Sequence, residues 1–263
     1  MKTSLSRTEC VLYAGYALLG LLAWLGPHVP QMAGYHQFAD QRHWHGLAHA
    51  ADVLSNLPFG LLGAAGLWLL ARRDARGMRG FLALFFGGLL LTCAGSSLYH
   101  LAPSDGGVFW DRLGMVPVFA GMLGLAVQSH LGSRPAWVSA CLVLVAGPAS
   151  LLWWLRTGQL LPWAVLQGAG MALLLVLAAA QALGHGGQGG MRWPLGAVIA
   201  WYLLAKLLEW GDAAVWQWSG QLVSGHTLKH VAAALAAWPV LAALRRRPST
   251  AHQPKVPAQV QAQ

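Results

Sequence analysis

Charge is what this sequence has least of. Asp, Glu, Lys and Arg together make up 10% of its 263 residues, where a soluble domain carries about 25%. With 56% hydrophobic residues, 14 Trp and a mean hydropathy of +0.50, that shortage excludes an ordinary soluble enzyme and points to an integral membrane protein. Cysteine is equally sparse. Cys10, Cys93 and Cys141 are an odd set inside apolar runs without C-x-x-C spacing, so they read as small buried hydrophobes rather than a disulfide framework or a thiolate metal site. The formal charge of +9 would suit nucleic acid if the cations formed a helical face or a stripe interleaved with aromatics. They sit instead in loops between apolar runs, where they set topology, and no nucleic-acid partner is expected.

What is present is a series of apolar runs, at approximately 10 to 26, 53 to 71, 80 to 100, 111 to 131, 136 to 155, 162 to 183, 193 to 210 and 226 to 244. Each has about the length needed to cross roughly 30 Å of hydrocarbon. Lipid cannot satisfy free backbone groups, and the runs are too long and uniform for barrel strands, so each is expected to be a helix. The fold class expected is all-α, a polytopic membrane helix bundle of eight spans. Short interruptions rich in Gly, Pro, Arg and Trp leave no room for a soluble domain. Residues 1–26 resemble a signal peptide in having Lys2 and Arg7 before an apolar stretch, but no small-x-small cleavage site follows, so a retained helix is expected. Residues 27–52 form a His- and Trp-rich interfacial loop, residues 53–244 the remaining spans, and residues 245–263 a tail rich in Pro, Gln and Ala that is expected to be disordered.

Alternate connections differ sharply in cations. With a cytoplasmic N-terminus, the inner side collects Lys2, Arg7, Arg72, Arg73, Arg76, Arg79, Arg134, Arg192, Arg245, Arg246, Arg247 and Lys255, against Arg42, Arg112 and Arg156 outside. The positive-inside rule then makes both termini cytoplasmic. The abundance of Ala, Gly, Leu and Arg over Lys associates the chain with a GC-rich bacterial genome, hence the inner membrane of a bacterium.

Histidine supplies the candidate chemistry. In His226-Thr-Leu-Lys-His230 two imidazoles four residues apart lie one helical turn above each other and can converge on one metal ion. A catalytic zinc takes three protein ligands, and His100 is the expected third. On the expected topology His100 ends an outward span, Asp111 begins the next inward one, and His226 and His230 open the last, so all four share one depth in the outer leaflet. Ser96 and His100 are an i, i+4 pair, which places the serine hydroxyl on the imidazole face for an oxyanion role. The stretch lacks the glutamate of H-E-x-x-H, so another carboxylate must move the proton. Asp111 is the best placed, with Asp105 in a loop and Glu209 and Asp212 at the outer end of the seventh span without histidines beside them. A water activated by the metal would give up a proton to Asp111 and attack a carbonyl, and Asp111 would then protonate the leaving group.

The neighbouring ionisable groups have structural readings. Lys206 and Glu209 form an i, i+3 ion pair on the seventh span. Lys229 points about 100 degrees away from either flanking histidine and is expected to snorkel or to pair with an acid such as Asp212. His36, His43, His45 and His49 lack zinc-type spacing on a helix, and belong to a solvated loop or a lid over the outer opening. Pro117, Pro148 and Pro239 are expected to kink their helices.

These residues carry a resemblance. Ser96-x-x-x-His100, Asp111 and His226-x-x-x-His230 resemble the motif set of the alkaline ceramidases, in the wider superfamily that includes the adiponectin and progestin receptors. More closely, Asp52-Val-Leu-Ser-Asn56-Leu-Pro, Tyr99-His100-x-Ala-Pro103, Trp110-Asp111-Arg112-Leu and Gly225-His226-Thr-Leu-Lys-His230 look like the bacterial ceramidase-like membrane proteins, over roughly residues 35 to 244. The resemblance implies a seven-helix core preceded by one extra N-terminal transmembrane helix, zinc (Zn2+) on three histidines, and hydrolysis of a ceramide-like membrane lipid to a long-chain base and a fatty acid. The acidic calcium-binding motif of the animal enzymes would fall near residues 35 to 49, where the only acid is Asp40, which puts calcium regulation in doubt. A second reading, from the receptor branch, is a membrane receptor or sensor whose zinc is structural or weakly hydrolytic. A transporter would need polar residues through both leaflets, and here they are confined to one.

Overall fold

The computed structural model describes residues 4–185 and 192–248. Its helices are α1 (Arg7–Leu25), α2 (Ala50–Leu54), α3 (Leu57–Arg72), α4 (Arg79–Leu101), α5 (Asp105–Leu131), α6 (Ser133–Thr157), α7 (Leu161–Ala182), α8 (Leu195–Trp210), α9 (Asp212–Trp218), α10 (Gly225–Leu235) and α11 (Trp238–Arg245). Among the described residues the only β pairing is an isolated bridge between Trp44 and Leu47. The chain is thus an all-α polytopic bundle. Seven segments are long and apolar enough to cross a membrane, and these include the expected first span. The expected seventh span, 193–210, is α8, whose 16 residues rise only about 24 Å. The chain turns there at Gly211 and continues as α9.

Local sequence sets the boundaries. Ser6 and Glu9 form a capping box, the hydroxyl accepting the Glu9 N–H at 3.2 Å and the carboxylate the Ser6 N–H at 2.9 Å. Ser104 caps α5 by accepting the Gly107 N–H at 3.2 Å, and Ser224 caps α10 by accepting the Thr227 N–H at 3.0 Å. The Ser104 cap starts α5 at Asp105, six residues before the expected apolar boundary, so Asp111 lies in its second turn. Pro117 and Pro148 are carried inside α5 and α6, whereas Pro239 opens α11 after a break in the last span.

A glycine seam packs α4 closely against α5. A Cβ on Gly88 would lie 2.6 Å from the Val118 nitrogen, on Gly95 2.4 Å from the Trp110 carbonyl oxygen, on Gly114 2.7 Å from the Leu91 carbonyl oxygen, and on Gly121 2.5 Å from the Phe85 nitrogen. Each helix contributes glycines two turns apart, so the two backbones touch along their whole contact. Between membrane helices, where lipid offers no hydrophobic drive, such close approach is what holds the pair. The core beside it is aromatic and aliphatic, with Phe81, Leu82, Phe86 and Leu125 buried.

All the residues expected at the site fall at one end of the bundle, where α4 ends, α5 begins and α10 begins. The opposite end carries Arg7, Arg72, Arg73, Arg79, Arg134 and Arg245. Two expectations need correction. Cys10 and Cys141 are exposed on the bundle surface and only Cys93 is partly buried, because apolar character in a membrane does not separate lipid-facing from buried positions. The tail does not begin at 245. Arg245 closes α11, and the Pro248 carbonyl accepts the Asp74 N–H at 3.0 Å while the Arg247 carbonyl accepts from Arg73 at 2.9 Å. Residues 249–263, the rest of the expected tail, lie outside the described residues.

Candidate metal centre

The three expected ligands converge. His100 from the last turn of α4 meets His226 and His230 from the first two turns of α10, and their ring centroids form a triangle with all three sides 4.9 Å. One nitrogen from each ring lies within 4.8 Å of the others, and all three residues are buried. Two sequence features bring α10 into place. Gly225 lets its backbone approach α8, since a Cβ there would lie 2.3 Å from the Leu208 carbonyl oxygen. Asp212 then accepts the His226 N–H at 2.8 Å, satisfying a donor that the helix start leaves free.

The ring nitrogens are arranged as ligands require. Nε2 of His100 and Nε2 of His226 are 3.3 Å apart, whereas Nδ1 of His230 faces the Ser55 hydroxyl at 2.8 Å. Nδ1 of His100 is buried without a partner. An all-imidazole set fits zinc, copper, iron or nickel and is unsuited to the hard cations that prefer oxygen. Three buried imidazoles also match the protein share of a catalytic zinc site. Among the described residues this is the one cluster with such spacing, so His36, His43, His45 and His49 form no second centre.

Ser96 and Asp111 form a second pairing beside the first. Gly95 presses α4 onto α5 at Trp110 and Asp111, which sets the Ser96 side chain against the Asp111 carboxyl. Ser96 is one turn from His100 on α4, about 6 Å along the axis. Asp105, expected in a loop, instead starts α5 and accepts from His36 Nε2 at 3.2 Å. The Lys206–Glu209 ion pair forms as expected. Lys229 joins the same carboxylate, its Nζ 2.8 Å from Glu209 Oε1. Its expected partner Asp212 is already occupied by two backbone N–H groups, those of His226 and of Ala39 at 2.9 Å.

Several parts of the centre escaped sequence reasoning. Phe38 lies over it, its ring centroid 4.7 Å from that of His100 and 4.5 Å from that of His226. The 27–49 loop is therefore a cover, held by Asp40 and Arg42. Arg42 donates to the two Asp40 oxygens at 2.9 and 2.6 Å and to the Leu222 carbonyl at 2.9 Å, and its guanidinium lies 4.6 Å from the Trp216 ring. Asp52 is buried and accepts from the Thr227 hydroxyl at 2.7 Å, tying α2 to the turn between the two histidines. Ser55 and Asp52 were visible only as members of a longer pattern, and Phe38 carried no signal of its own.

No family model, curated protein or solved structure matches the chain.

Proposed function

We propose that the chain is an intramembrane zinc-dependent amide hydrolase that cleaves a ceramide-like N-acyl lipid to a long-chain base and a free fatty acid. The observation that carries this reading is the equilateral set of buried imidazoles, 4.9 Å on each side, one helical turn from a paired serine and aspartate. His100, His226 and His230 would hold the zinc, which when bound would supply Lewis acidity and lower the pKa of water to about 7. Asp111 takes the proton from the attacking water and delivers it to the departing amine. Ser96, resting against Asp111, turns its hydroxyl to the substrate carbonyl oxygen as negative charge develops there. The apolar bundle keeps other water away from the acyl carbon.

The cation-rich end of the bundle supports an orientation with both termini cytoplasmic and the metal centre toward the outer leaflet, in the inner membrane of a bacterium. A second reading, a receptor or sensor with a structural or weakly hydrolytic zinc, is favoured by the Phe38 ring that closes over two of the three ligands.

The test is elemental analysis of detergent-purified protein, wild type beside His230→Ala, in parallel with fatty-acid release from a panel of N-acyl lipids. About one zinc per chain, lost in the variant together with turnover, is the expected result. Zinc without turnover on any lipid supports the receptor reading, and well-folded protein without zinc overturns both.

A further inference from the structure

Away from the histidines, α1, α6 and α7 border an open-sided cavity of about 750 Å³, within the range of about 300 to 1,000 Å³ common to ligand sites. Its walls are hydrocarbon, among them Leu19 of α1, Ala146 and Trp153 of α6, and Leu166 and Leu173 of α7. It is separate from the metal centre. Trp153 faces the cavity, while the next residue, Trp154, is buried on the other side of α6 with its ring 4.7 Å from the Arg112 guanidinium.

The cavity is held open by clamps at both ends of α1. At the arginine-rich end, Arg134 donates to the Glu9 carboxylate at 2.9 and 2.8 Å, and halfway along α1 the Tyr16 and Ser139 hydroxyls are 2.6 Å apart. At the other end the Leu160 N–H donates to the Val29 carbonyl at 2.8 Å. Gln159 there accepts from the Val29 N–H at 2.7 Å and donates to the Pro27 carbonyl at 3.0 Å. Between the clamps Gly20 on α1 and Gly170 on α7 have nothing within 4 Å of a Cβ position. Small residues stand where larger ones would close the gap. An unfilled void forfeits the dispersion contacts of its lining, and in a bilayer the material at hand to fill it is a lipid chain. Polar lining residues gather at one end, at His28, Thr157 and Gln159, while the other two hydroxyls of the lining are engaged elsewhere, Tyr16 with Ser139 and Ser150 with the Gly147 carbonyl.

We propose that this cavity binds one acyl chain of a bilayer phospholipid, with the head group at the His28, Thr157 and Gln159 mouth, as a site independent of the metal centre and its substrate. The test uses the full chain in nanodiscs of phosphatidylcholine doped with a phosphatidylcholine bearing a diazirine on its acyl chain. On irradiation, label is expected to concentrate on α6 and α7 peptides within residues 142–173. Gly170→Trp, which fills the cavity, should lower that labelling at least tenfold. Gly168→Trp, on the exposed opposite face of α7, should leave it unchanged, and thermal unfolding of both variants reports that the bundle is intact. Labelling unaffected by Gly170→Trp, spread evenly over the other spans, or transferred only from a diazirine fatty acid overturns the proposal. None of these readouts depends on metal or hydrolysis.

Discussion

The Ser55 hydroxyl lies 2.8 Å from Nδ1 of His230 and donates its own proton to the Asp52 carbonyl at 3.0 Å. Toward the imidazole it can then only accept, so Nδ1 of His230 carries the proton and Nε2 presents the lone pair. One serine thereby fixes both the tautomer and the ring orientation of a candidate metal ligand, the role that outer partners commonly play at zinc sites. Ser55→Ala is expected to weaken zinc binding by about 10- to 100-fold without unfolding the bundle. Competition with a chelator of known affinity measures it, and unchanged affinity would remove Ser55 from the centre.

Asp111 separates the hydrolase from the receptor reading. Asp111→Asn preserves shape and leaves the three imidazoles untouched, but takes away the proposed base. Fatty-acid release is expected to fall by about 10²- to 10⁴-fold while zinc content stays that of the wild type. Retained turnover would assign the proton transfer to another group.

The glycine seam gives a stability expectation with an internal control. At Gly121 a Cβ would meet backbone atoms of both Phe85 and Phe81, at 2.5 and 2.6 Å, and backbone cannot rotate aside. Gly121→Val must push α5 off α4, with an overpacking cost of about 1 to 3 kcal/mol. Gly87, on the same helix as Gly88, has nothing within 4 Å, so Gly87→Ala is expected to be neutral or to stabilise by up to about 1 kcal/mol through helix propensity. Thermal unfolding in detergent compares the two, and equal melting temperatures would contradict the seam.

The sequence makes legible what is local. Apolar run length gave the spans, and the four-residue spacing of His226 and His230, with His100 at the same depth, gave the triad. The failures are all tertiary. Asp212 was discounted as having no histidine beside it, because its tie is to the backbone of His226 rather than to an imidazole. The expected Lys229–Asp212 pair loses to Glu209 for the same reason. Phe38 reaches the metal centre from a loop with no periodicity, where hydropathy and spacing say nothing about which ring turns inward. Eight runs were visible, but hydropathy does not show that α8 stops short at Gly211, where Gly225 packs against the Leu208 carbonyl and the Asp212 backbone.

The cover over the centre has an acid limit set by Asp40. Burial acts to raise this carboxyl, but the hydrogen bonds and charge of Arg42 outweigh it and hold Asp40 below its ordinary value, about 3.9. A carboxylate depressed in the folded state contributes its full stabilisation above the unfolded value and loses it as pH falls through the lower folded one. Hydrogen exchange over residues 37–44 is therefore expected to be slow at neutral pH and to lose protection only below about pH 4. Asp40→Asn should exchange fast at every pH, with no further step in acid. Because Phe38 sits two residues from Asp40 and lies on His100 and His226, the same variant should let a chelator strip zinc faster at neutral pH. Stripping at the wild-type rate would mean that Phe38 stays in place without the Asp40–Arg42 fork, and that the cover is held by Asp212 and the Ala39 N–H instead.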